Sequence, residues 1–149
     1  MPSGKVHYKF WKIGWIGEGG LFLLLLFLNP LLSFGSLAGY FLGQFVDPDL
    51  DLVGITSAEG RMLRKIPLVG GLFVAYWTIY GAVFRQYHRS FLTHGFIIST
   101  VIRFIYAFWW IALLKYTETW FLLVIAGMFI GLLFSDSLHI WVDNRYGGR

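Results

Sequence analysis

The run LFLLLLFLNPLLSFGSLAGYFLGQFV, residues 21–46, is almost wholly apolar and is broken near its centre by Asn29-Pro30. Proline lacks an amide hydrogen and disfavours helical backbone in the residue before it, so the pair marks a turn. Two readings compete: one kinked helix over Gly20–Val46, or a tight hairpin with helices over Tyr8–Leu28 and Leu31–Val46. Flanking charge selects the hairpin. It gathers Lys5, Lys9, Lys12, Arg61, Arg64, Lys65, Arg85, Arg89, Arg145 and Arg149 on one side of a membrane and leaves Lys115 on the other. By the positive-inside rule the loaded side is cytoplasmic.

Composition makes the membrane the natural solvent. Of 149 residues, 57% are hydrophobic, 20% aromatic and only 13% charged, more apolar surface than a soluble domain of this length can bury. A spanning helix needs about 20 mostly apolar residues. Gly95–Leu114 and Trp120–Val142 meet that need beside Tyr8–Leu28, with Leu31–Val46 as a short fourth. Pro67–Phe84 is apolar but carries Gly70, Gly71 and Gly81, and a crossing there would separate Asp47–Asp51 from His88 and His94. We therefore expect an interfacial or re-entrant segment leaning on the bundle, because irregular backbone at depth needs protein cover. The expected fold is an all-α membrane protein, a single domain over 1–149, with about four transmembrane helices plus that segment.

Gly35, Gly39 and Gly43 recur every four residues, as do Gly127, Gly131 and Ser135. Each series makes a smooth helix face suited to close packing in lipid. Trp11, Trp15, Trp109, Trp110, Trp120 and Trp141 fall toward helix ends, as an interfacial aromatic belt requires. The amino terminus has no small-residue cleavage site after a short apolar core, so Met1 is expected to stay. The net charge of +4 is dispersed in short flanks rather than collected in a stripe, so no nucleic acid is expected as a partner. The expected partners are the lipid bilayer and a membrane protein or a second copy of the chain.

The chain lacks Cys, which leaves His, Asp and Glu as the only strong metal ligands. Its four His and five Asp all fall at or near cytoplasmic helix ends under this topology. They are His7; Asp47, Asp49 and Asp51 in VDPDLDL; His88 and His94 in HRSFLTH; and Asp136, His139 and Asp143 in SDSLHIWVD. On a helix, positions i, i+3 and i+7 lie within about 60° of one another, so the last three share a stripe. Imidazole with carboxylate suits Zn²⁺, Mn²⁺ or Fe²⁺, and a carboxylate-rich site admits Mg²⁺. Each cluster alone also reads blandly, as a solvated turn, an interfacial His or a wet helix end; their convergence favours a metal site.

Two charges lie deeper. Glu18 and Arg103 sit eleven and nine residues inward from His7 and His94, depths that differ by about 3 Å, so the pair is expected to neutralise itself inside the bundle.

MPSGKVH, GQFVDPDLD, HRSFLTH and LHIWVD, in that order, resemble the motifs of an uncharacterised bacterial family of metal-binding integral membrane proteins. That family in turn resembles inner-membrane metal-dependent hydrolases. The resemblance implies His7, Asp49, Asp51, His88, His94, His139 and Asp143 as metal-site positions, with Asp47 and Asp136 added by proximity. Gly95 stands where the family commonly has a small hydroxyl residue, which removes one source of support for a ligand. The implied activity is a metal-dependent hydrolase at the cytoplasmic face of a bacterial inner membrane, acting on a phosphoester or lipid-linked substrate. Arg89 would clamp phosphate and Asp51, or another free carboxylate, would act as general base. The alternatives are a non-catalytic subunit of a larger membrane complex with a structural or vestigial metal, and a divalent-cation transporter, which the gathering of ligands away from the midplane disfavours.

Overall fold

The structure is a computed structural model that describes residues 4–46, 60, 63–87, 90, 92, 97–113 and 118–146, with side chains for all of these but 4–8, 110–113 and 146. Among the described residues five long α-helices carry the fold: α1 (Gly4–Leu28), α2 (Pro30–Leu42), α3 (Pro67–Phe84), α4 (Ile98–Leu113) and α5 (Thr119–Tyr146), with a 3₁₀ turn over Arg85–Tyr87 after α3. Among the described residues there is no strand.

The Asn29-Pro30 turn forms as the sequence dictates. Asn29 is extended (φ −165°, ψ 125°), its side-chain oxygen accepts from the Leu31 amide at 2.8 Å, and Pro30 occupies the first helical position, where a missing amide costs nothing. The chain then reverses. Ser33 donates to the Phe22 carbonyl at 2.6 Å, Ser36 to Glu18 at 2.6 Å, and Tyr40 to the Trp11 carbonyl, so advancing along α2 means retreating along α1. Trp11 returns the bond through its indole nitrogen to the Tyr40 carbonyl at 3.2 Å, and the two rings stack.

The two small-residue series meet. A Cβ built on Gly39 would fall on the Met128 carbonyl, one on Gly131 on the Ser36 carbonyl, and Gly35 and Gly127 face one another in the same way. Only hydrogen fits at such a backbone approach, so α2 lies parallel to α5 at the closest contact two helices make. α1 covers the same pair antiparallel to α5, with Gly14 and Gly17 under Leu138 and Phe134 and Phe10 edge-on to Trp141.

α3 departs from expectation. It is one continuous helix of 18 residues, and with the following turn residues 67–87 are long and apolar enough to cross a membrane. Gly70, Gly71 and Gly81 do not interrupt it. Away from water the i→i−4 bond is the only way to satisfy each peptide group, which outweighs the entropic cost of glycine. Residues 9–28, 67–87 and 119–145 therefore give three helices able to span, while α2 and residues 98–109 of α4 are shorter apolar helices. At 13 residues α2 reaches only about 20 Å, less than a bilayer core.

α3 does lean on the bundle, through rings rather than backbone. Tyr76 and Tyr106 each donate to the other's carbonyl, Trp109 donates to the Tyr76 hydroxyl, and Tyr80 reaches Tyr106, which sets α3 antiparallel to α4. Buried Val46, Trp77, Tyr80 and Leu132 tie this aromatic pair of helices to α2 and α5. The outside is apolar, with Phe27 90% and Leu68 78% exposed.

Candidate metal centre

The pairings put the start of α1 and the end of α2 at one end of the bundle, together with the end of α3, the start of α4 and the end of α5. Those are the chain positions beside every His and Asp cluster. His7 lies in the second turn of α1, and the Phe10–Trp141 contact sets its backbone abreast of the last turns of α5. Val46, the residue before Asp47, packs with Leu132, one turn before Asp136. Tyr87 precedes His88, and α4 opens at Ile98, four residues after His94. Asp47, Asp49, Asp51, His88, Arg89 and His94 themselves lie outside the described residues, as does the side chain of His7.

On α5 the stripe divides. His139 and Asp143, one turn apart, bring Nε2 and Oδ2 to 3.4 Å, with side chains 9% and 24% exposed. Asp136, expected as a metal ligand by proximity, has other partners: its Oδ2 accepts from Arg103 Nη2 at 2.5 Å and from the Thr100 hydroxyl at 2.6 Å, wholly inside the protein. Ser99 lies a further 3.4 Å from the same guanidinium nitrogen.

The expected Glu18–Arg103 pair is not formed. Glu18 is fully buried, but it accepts from Ser36 across the α1–α2 hairpin, while Arg103 projects from α4 onto α5. Matching depths put the two charges at similar levels. They do not share a helix–helix interface, and a buried charge pairs across the interface on which it sits.

This polar interior was only partly readable. Ser99, Thr100 and Arg103 share a face of α4 by spacing, a pattern beyond the Arg103 charge that could have pointed to a buried polar contact without naming its partner. Ser36, inside a series read as packing alone, gave no such signal. Among the described residues Arg103 Nε and Nη1, Asp136 Oδ1 and Glu18 Oε2 are buried without a hydrogen-bond partner.

The donor chemistry fits a divalent cation. His139 and Asp143 present imidazole nitrogen and carboxylate oxygen at facing positions one turn apart, a two-ligand half-site for a borderline ion. Among the described residues no three His, Asp or Glu gather around one point, so further ligands must come from elsewhere.

A family model described as "uncharacterized metal-binding protein (DUF2227)" matches residues 2–145. The chain belongs to the DUF2227 family. The match runs from before His7 to beyond Asp143 and so includes all four clusters. Metal binding, expected from the residues, is thus a property by which the DUF2227 family is described. No match was found among curated proteins or among solved structures.

Proposed function

We propose that this DUF2227 protein is a metal-dependent hydrolase working at the cytoplasmic surface of a bacterial inner membrane, on a phosphoester or lipid-linked substrate. The observation that carries the reading is the His139–Asp143 pair, toward the end of α5 that the helix pairings share with the start of α1 and the start of α4. His7, Asp49, Asp51, His88 and His94 complete the proposed ligand set, and Asp136 leaves it, being committed to Arg103.

A divalent cation held there, Zn²⁺, Mn²⁺, Fe²⁺ or Mg²⁺, would supply positive charge that acidifies water and offsets charge growing on the substrate. The chain's own residues do the rest. Arg89 grips a phosphate through its planar fork. Asp47, which stands outside that ligand set, accepts the proton from attacking water. The apolar helix exteriors hold the site at the lipid boundary, where a lipid-linked substrate presents its headgroup.

The test is metal content of the detergent-purified chain, parent against a His139→Ala, Asp143→Ala variant, followed by a screen of phosphoesters with and without chelator. Near-stoichiometric metal, lost in the variant together with hydrolysis, supports the reading. Metal retained by the variant overturns the site.

A second reading keeps the metal and drops the catalysis, as in a structural subunit docked on a larger membrane complex or on a second copy. It is favoured by the sharing of one bundle end by the start of α1, the start of α4 and the end of α5, which one ion would tie together. Cobalt substitution separates the two, because a closed four-coordinate site gives a spectrum indifferent to added phosphate, whereas an open one responds.

A further inference from the structure

The buried Arg103–Asp136 pair is not used by the proposed chemistry, and its place in the fold suggests what it does. α2 and α5 touch backbone to backbone, whereas α4 meets α5 through side chains: Arg103 and Thr100 on Asp136, and Phe104 on Phe129 at 5.2 Å between ring centres. Ring contacts tolerate sliding and rotation. A guanidinium and a hydroxyl converging on one carboxylate oxygen, with the two charged side chains 0% and 1% exposed, fix both axial position and rotation. Asp136 is three residues, about 4.5 Å along the axis, from His139. Arg103 is nine residues from His94, and α4 begins just after that motif.

The geometry points to Arg103 and Asp136 as a positioning pair that pins the start of α4 against the last turns of α5, which carry His139 and Asp143. The pair touches no substrate. It rests on the metal reading only in its consequence, since holding ligands from two helices in one geometry is what a metal affinity measures.

The absence of Cys permits a direct test. Nitroxide labels at Ile97→Cys and Arg145→Cys, both exposed, report the spacing between the start of α4 and the end of α5 by pulsed electron resonance in detergent without metal. Zinc affinity is read separately on the unlabelled chain by chelator competition. Arg103→Gln with Asp136→Asn removes both charges together and leaves no unpaired ion. The expected result is a broadened distance distribution and zinc binding weakened by about 10–100-fold, with helical content kept.

A distribution as narrow as the parent's overturns the pin. Zinc lost without broadening makes Asp136 a ligand and overturns positioning. Broadening with unchanged zinc affinity overturns the coupling to the site. A parent chain that binds no zinc removes the metal reading and the coupling with it, while the distances still decide the pin. Should the double variant fail to fold, Asp136→Glu keeps the charge but moves the carboxylate by one methylene. It should shift the distance and weaken zinc together, and no change in either overturns the proposal.

Discussion

Arg103 and Glu18 illustrate how membrane-depth charges read from sequence. Both were marked by their position alone, because an ionisable residue inside an apolar segment must be compensated. Their partners were not legible, since depth follows from counting residues while azimuth depends on which helices are neighbours. The consequence is measurable in stability. Asp136→Asn leaves Arg103 as an uncompensated buried charge and should cost about 3–5 kcal/mol by reversible unfolding in detergent, while adding Arg103→Gln should recover much of that loss. Glu18 gives a quieter case. Ser36→Ala strips the one described donor to its carboxylate and should cost about 1–3 kcal/mol, whereas Glu18→Gln keeps an acceptor for Ser36 and should cost less. The reverse order in the same unfolding assay would mean that the Ser36 bond does not hold Glu18. At the same scale helical spacing puts Asp136, His139 and Asp143 on one stripe, yet it could not show that the carboxylate nearest the interior would be taken by an arginine from the next helix.

Among the elements, the hairpin and the glycine interface were the most readable because each rests on a local steric rule. Asn29-Pro30 can do little else than turn, and glycine every fourth residue in lipid serves close packing. The continuity of α3 was less legible for a related reason: glycine was weighed as a helix breaker, a lesson from water, where exposed peptide groups have an alternative partner. The two kinds of glycine should part in mutagenesis. Gly39→Val or Gly131→Val drives a side chain into the facing backbone, which cannot step aside, and should cost at least the upper part of the usual 1–3 kcal/mol for overpacking, or abolish the folded chain. Gly20→Ala and Gly71→Ala meet nothing within 4 Å and should be tolerated or mildly stabilising. Thermal unfolding of the four variants in one detergent checks the contrast, and equal losses in both classes would refute the close α2–α5 contact.

For the whole molecule the open matter is which way α3 runs through the membrane. Its rings fix it antiparallel to α4, which puts Lys65 and Pro67 at the end where α1 turns into α2, opposite Tyr87. Arg61, Arg64 and Lys65, first assigned to the loaded side, then join Lys115 on the other. The bias that remains by this count, Lys5, Lys9, Lys12, Arg85, Arg89, Arg145 and Arg149 against those four, is smaller but keeps its sign, which supports the proposed orientation with both termini cytoplasmic. The sequence could not weigh this, because the rule counts charges only after the crossings are known. A Cys-free chain makes the test direct: single cysteines at Lys65, Tyr87, Glu118 and Arg145 are labelled in whole cells with a membrane-impermeant maleimide. A crossing α3 predicts labelling from outside at Lys65 and Glu118 and protection at Tyr87 and Arg145 until the cells are opened. Protection of Lys65 alongside Tyr87 would return α3 to the interface, with both of its ends at the face proposed to hold the metal.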